Sequence, residues 1–224
     1  MPTYEGDNIV MLGQASRYVF KLVKRAQKNT KLPFPFEYIS EMPTLFATKN
    51  RGATVEECLD LNVLRNALAV RAAKQIVQCS KSMAESQQPD KVKDNEIFGD
   101  EKLSMVKAHL RHVCMNLFFN QVSSCKFKDS RIEPLLMDLA RVHILCDLIK
   151  DCGPVYEAGY FAPSAHSNLK KALEQVIKKL RPQMLPLAEV PYSTDEFNPS
   201  SIGNSYGDIY ETQFEWARTS KLNN

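Results

Sequence analysis

Apolar residues recur at three- and four-residue steps through five long segments of this chain, and no stretch shows the two-residue alternation of a half-buried strand. The first segment, about Ile9 to Lys28, sets Leu12, Ala15, Val19, Leu22 and Ala26 on one side and Arg17, Lys21, Lys24 and Lys28 on the other. Such a helix buries one stripe and solvates the opposite one. The second opens at Thr54, where Thr54 and Glu57 have capping-box spacing, and runs through Leu61, Leu64, Leu68 and Ile76 to about Ser82. Leu103, Val106, Leu110, Val113 and Leu117 mark a third. Leu135, Leu139, Val142, Cys146 and Ile149 mark a fourth, entered at Asp129 or Ser130 and stopped at Gly153-Pro154. The fifth, capped near Ser167, carries Leu169, Leu173, Val176 and Leu180 and ends before Pro182.

Between them the punctuation is proline and polar residues. Lys31 to Gly52 holds Pro33, Pro35 and Pro43 and reads as a crossing loop anchored by Phe34, Phe36 and Tyr38. Gln87 to Asn95 is polar, and Pro182 to Gly207 is rich in Pro, Ser and Asn. A last short helix, roughly Asp208 to Thr219, holds Tyr210, Phe214 and Trp216, aromatics expected to be buried against the rest. The fold class predicted is all-α: an antiparallel helical bundle of about five main helices plus a docked C-terminal tail helix. With 8 glycines among 224 residues, the composition favours helix as well.

Charge and composition narrow the function classes. A net charge of +3 does not call for nucleic acid. No run of about eighteen apolar residues is present, so no membrane span is expected. The N-terminal residues have neither the basic nor the apolar region of a secretory signal. The six cysteines form no C-x-x-C pair and are expected to be reduced core thiols.

The stretch with most chemistry is Thr3-Tyr4-Glu5-Gly6-Asp7-Asn8. It sets a carboxylate on a turn, a glycine where the backbone bends, and capping side chains ahead of a helix. Tyr4 can desolvate Glu5 and raise its pKa toward the range of a general base, while free N–H groups at the helix start suit an anion. A turn followed by an ordinary cap is the plainer alternative. His109 and His112, one turn apart, have the spacing of a metal pair, but no acidic residue accompanies them on that face, so a polar helix edge is expected and no metal. The row Arg17, Lys21, Lys24, Arg25 and Lys28 reads as a solvated face with the capacity to receive phosphates.

The Thr3–Asn8 motif followed by an apolar helix resembles the catalytic segment of acyl-CoA oxidases and, more loosely, of acyl-CoA dehydrogenases. Near the other end, Gly207-Asp208-Ile209-Tyr210-Glu211 with Phe214-Glu215-Trp216-Ala217 is similar to the closing motif of the same oxidases. The resemblance implies Glu5 as the general base that removes the α-proton of a fatty acyl-CoA. It implies FAD as hydride acceptor, with Gly6, Asp7 and Asn8 beside the flavin nucleotide, and a trans-2-enoyl-CoA as product. Oxygen is the family's second substrate and hydrogen peroxide its by-product. A homodimer and a peroxisomal location are implied too. On this reading residues 1–52 close a first helical domain and 53–224 form the oxidase C-terminal helical domain.

The family's N-terminal helical domain, its β domain and a glycine-rich stretch ahead of the base do not occur in these residues. The chain is therefore expected to be the C-terminal portion of a longer enzyme. Ser220-Lys221-Leu222 has the composition of a peroxisomal signal, yet Asn223 and Asn224 follow it, and such signals are read at a free terminus. The alternative is a non-catalytic helical module that binds a full-length oxidase subunit or another protein.

Overall fold

The structure, a computed structural model, describes residues 8–93, 97–189, 200–203 and 207–222. The chain divides into one compact unit, Met1–Leu180, and a second, Arg181–Asn224.

In the first unit α1 (Asn8–Gln27) is followed by a Glu37–Ile39 3₁₀ turn and α2 (Met42–Ala47), both within the proline-broken crossing. Next come α3 (Val55–Leu59) and α4 (Leu61–Glu85). The period of the sequence reads this pair as one helix, but Asp60 splits it. Its carboxylate accepts from the N–H groups of Asn62 (2.7 Å) and Val63 (3.4 Å), capping α4 and leaving its own backbone extended. The Thr54 cap forms as predicted: Thr54 Oγ1 accepts from Glu57 N–H, while Glu57 reaches back to Ala53 N–H at 2.9 Å.

A short α5 (Asp90–Val92) precedes α6 (Gly99–Ser124) and α7 (Ile132–Lys150). α7 does end ahead of Gly153-Pro154, and the same pair opens α8 (Gly153–Glu157), because proline in a first helical turn has no N–H to lose. The last helix of the unit, α9 (Ala165–Leu180), begins before Ser167.

α4 is the central helix, packed along α6 and also against α2, α7 and α8; α1 lies on α6, and α9 on α7 and α3. Two cores result. One joins Leu64 and Leu68 of α4 to Ile144 and Leu148 of α7 and Leu169 of α9. The other joins Val19 and Leu22 of α1 to Ile76 of α4 and Met105 and Val106 of α6. Each fully buried leucine contributes about 1.5–3 kcal/mol.

The first core is closed by the segment around Arg51, which makes an isolated parallel bridge with Phe161. Gly52 has φ +71°, and a Cβ there would meet Ala165 and Phe161 at 3.1 Å, so only glycine passes without displacement.

α6 departs from its predicted stripe. Leu110 and Leu117 are exposed, and the buried face instead carries Met105, His109, His112, Val113, Asn116 and Phe119. Of the cysteines, all free, Cys58, Cys79 and Cys152 are core residues, Cys146 is half-buried, and Cys114 and Cys125 are exposed.

The second unit holds a 3₁₀ turn at Arg181–Gln183, α10 (Met184–Glu189) and α11 (Ile209–Thr219). Gln213 donates to Ser201 Oγ at 3.1 Å. Burial of the tail aromatics is not what the structure shows: Tyr210, Phe214 and Trp216 are 73%, 71% and 50% exposed, and α11 buries no residue. An amphipathic helix buries its apolar face only where a complementary surface meets it, and no described residue of the second unit covers these rings.

Candidate functional site

Glu5, Gly6 and Asp7 lie outside the described residues, and Asn8 opens α1 with its side chain likewise outside them. What the fold fixes is the helix behind the motif. Val19 and Leu22 are fully buried, and the apolar stripe of α1 is seated on α6. The first turn of α1 has no acidic residue, so the positive end of the helix dipole there favours an anion.

The two histidines are not a polar helix edge. Both are buried, His109 at 3% and His112 at 5% exposure. His109 Nδ1 is 2.6 Å from Tyr38 Oη, and its ring stacks on Phe36 at 5.8 Å. His112 meets the Tyr38 ring edge-on at 4.4 Å, and the Asn116 amide nitrogen lies 2.8 Å from its Nε2. Burial pushes His109 down to about 4 and His112 to about 3, the latter lowered further by His109 and Arg65. Burial also raises the Tyr38 phenol well above its ordinary value. Both imidazoles are therefore neutral at physiological pH. Among the described residues no group of three His, Cys, Asp or Glu side chains is placed to hold a metal.

Arg65 of α4 extends this polar seam. Its guanidinium donates to Asn116 Oδ1 at 3.2 and 2.8 Å and lies 4.9 Å over the Phe119 ring. Burial lowers its pKa. Asn62, Arg65 and Asn66 from α4, with His112 and Asn116 from α6, line a cavity of about 490 Å³ whose far wall includes Glu37 and Glu41. The sequence signal was the one-turn spacing of these polar residues on α4 and α6; the apolar period hid it.

A second polar knot is structural. Arg71, fully buried in the apolar run of α4, pairs with the Asp147 carboxylate and donates to the Asp151 carbonyl at 3.2 Å. It thus satisfies the open carbonyl end of α7. Arg111 of α6 joins the same carboxylate at 2.7 Å.

The described residues define the class of protein as an all-helical bundle. The sequence profile of the acyl-CoA oxidase family matches residues 60–224, and the chain belongs to that family. Peroxisomal acyl-coenzyme A oxidase 1 of Phascolarctos cinereus is 24% identical over 226 aligned positions, which take in 99% of this chain and 34% of that protein. The human counterpart is 22% identical over the same shares. Among solved structures, an acyl-CoA oxidase from Lycopersicon esculentum (tomato) superposes with a TM-score of 0.87 at 21% identity, covering 99% of this chain and 34% of that one. Acyl-CoA oxidase-2 of Caenorhabditis elegans, bound with FAD, ascaroside-CoA and ATP, gives 0.81 at 24%, covering 99% and 32%. These superpositions establish the fold. The chain spans about a third of the length of the curated relatives it matches.

Proposed function

We propose that this chain is the C-terminal helical part of a flavin-dependent oxidase that converts a fatty acyl-CoA to its trans-2-enoyl-CoA in peroxisomal β-oxidation. The observation that carries the reading is the family match over residues 60–224 with Thr3-Tyr4-Glu5-Gly6-Asp7-Asn8 ahead of it. In this reading Glu5 removes the α-proton of the thioester, and Tyr4 beside it excludes water and keeps its carboxylate basic enough to do so. Gly6, having no side chain, allows the backbone between the base and α1 to bend. The family resemblance assigns Asp7 and Asn8 to the flavin nucleotide, and the positive end of the α1 dipole suits its anionic phosphates. When bound, FAD supplies the hydride acceptor that a carboxylate alone cannot; oxygen takes the electrons and leaves as hydrogen peroxide. A homodimer, and residues 1–52 as the end of a first helical domain, belong to the same proposal.

The alternative is a non-catalytic helical module that binds a full-length oxidase subunit or another protein. Substitution of Glu5 separates the two. In the complete polypeptide of which this chain forms the C-terminal part, Glu5→Gln is expected to leave flavin content and acyl-CoA binding unchanged. Turnover is expected to drop by about 10²–10⁴-fold or more. Turnover within about threefold of the parent would return Glu5 to a simple cap, as the alternative requires.

A further inference from the structure

The cationic face of α1 is the charged feature that the oxidase reading leaves unused. From Asn8 to Phe36 the chain has Arg17, Lys21, Lys24, Arg25, Lys28 and Lys31 and no Asp or Glu, so the remainder of the chain carries the balancing negative charge. Arg17, Lys21, Lys24 and Lys28 follow one another at steps of four, three and four, a straight stripe about 16 Å long at the helical rise. All six side chains are exposed, and none forms an ion pair with a described residue. The opposite face of α1 is held on α6, so the stripe points away from the core.

Along one flank of the stripe lies a groove of about 530 Å³ between α1 and the C-terminal part of α4. Phe20, Val23, Met83 and Ala84 supply apolar walls, Lys24 stands at its edge, and the Ser80 hydroxyl beside it is buried without a hydrogen-bond partner. On the other flank Tyr18 is 47% exposed. A line of cations beside an apolar slot and an interfacial aromatic complements a phosphate headgroup with its hydrocarbon chain. A nucleic acid has no hydrocarbon chain to fill the slot.

We propose that the cationic face of α1 docks this protein on an anionic phospholipid bilayer, with the α1–α4 groove taking one acyl chain. Each basic residue at such a surface contributes about fivefold in binding, and the attraction is screened by salt. The test uses the 224-residue chain with vesicles of phosphatidylcholine containing phosphatidylserine, and with phosphatidylcholine alone. Expected are cosedimentation with the anionic vesicles only and its loss at about 1 M salt. The triple variant Lys21→Gln, Lys24→Gln, Lys28→Gln should bind about a hundredfold more weakly.

A charge-matched control, Lys170→Gln, Lys171→Gln, Lys178→Gln on exposed α9 positions, should bind like the parent. Ala84→Trp, which fills the groove without altering charge, should also weaken binding. Circular dichroism should show all variants folded. The proposal is overturned if the α1 and α9 triples behave alike, if Ala84→Trp binds unchanged, or if neutral vesicles bind equally well. Complete displacement by inorganic phosphate at matched ionic strength, or tighter binding to duplex DNA than to vesicles, would overturn it too. None of these readouts depends on turnover, so they stand apart from the fate of Glu5.

Discussion

Helices α9 and α11 carry the same kind of pattern and meet different fates. In α9 Leu169, Ala172, Val176 and Leu180 recur at steps of three and four, and all are buried, at 0–4% exposure, against α7 and α3. α11 places Tyr210 and Phe214 one turn apart with Trp216 nearby, and all three stay at least half exposed. Local amphipathicity states only which face a helix is able to bury. Whether it is buried depends on a second surface of matching shape. For α9 that surface is in the same unit; for α11 no described residue of its own unit covers the rings.

The largest expected effect separates these two helices directly. Leu169→Ala should destabilise the first unit by about 2–5 kcal/mol in urea or thermal unfolding, since the cavity it leaves is fully enclosed. Phe214→Ala should change the same transition by no more than about 0.5 kcal/mol, although it removes more atoms. Equal losses would mean that the exposed ring has a packing partner.

Acid sharpens the contrast. In the unfolded chain His109 and His112 take up protons near 6.5, but in the folded unit they do so only near 4 and 3. The unfolded state therefore binds more protons between these values, and each unit of displacement is worth about 1.4 kcal/mol. The contribution is whole above about 6.5 and is lost progressively as pH falls from there through about 4 for His109 and about 3 for His112. His112→Asn should flatten that slope. The second unit has no histidine, so helical signal from a 181–224 peptide should not follow the same curve.

The smallest effect is expected from removing residues 207–224. With none of α11 buried, the first unit should melt within about 1–2 °C of the parent. If the exposed aromatics mediate association between copies, light scattering should report a smaller species after the deletion. A melting point lower by many degrees would show that the tail stabilises the bundle after all.

Helix positions were legible because their causes are local. The Thr54 cap, the two-faced α1 and the stop of α9 before Pro182 depend on residues within a turn or two of one another. The break at Asp60 was equally local yet hidden, since the apolar period continues through it and only the carboxylate's choice of N–H partners reveals it. The candidate catalytic motif was legible as a string of residue types, but its side chains fall outside the described residues, so its geometry adds nothing to the reading.

The sequence by itself determined the all-helical class, the cationic face of α1 and, through two short end motifs, the family. Each is a property of residue order over short spans. Only the tertiary structure decided which polar residues go inside. His109 is buried because Tyr38, 71 residues away, offers its hydroxyl, and Asn116 because Arg65, 51 residues away, donates to it. Arg71 lies in the core because the end of α7, with Asp147 76 residues on, supplies a carboxylate and open carbonyls. A buried polar group is tolerable only when its partner arrives with it, and that pairing across distant helices has no period in the sequence.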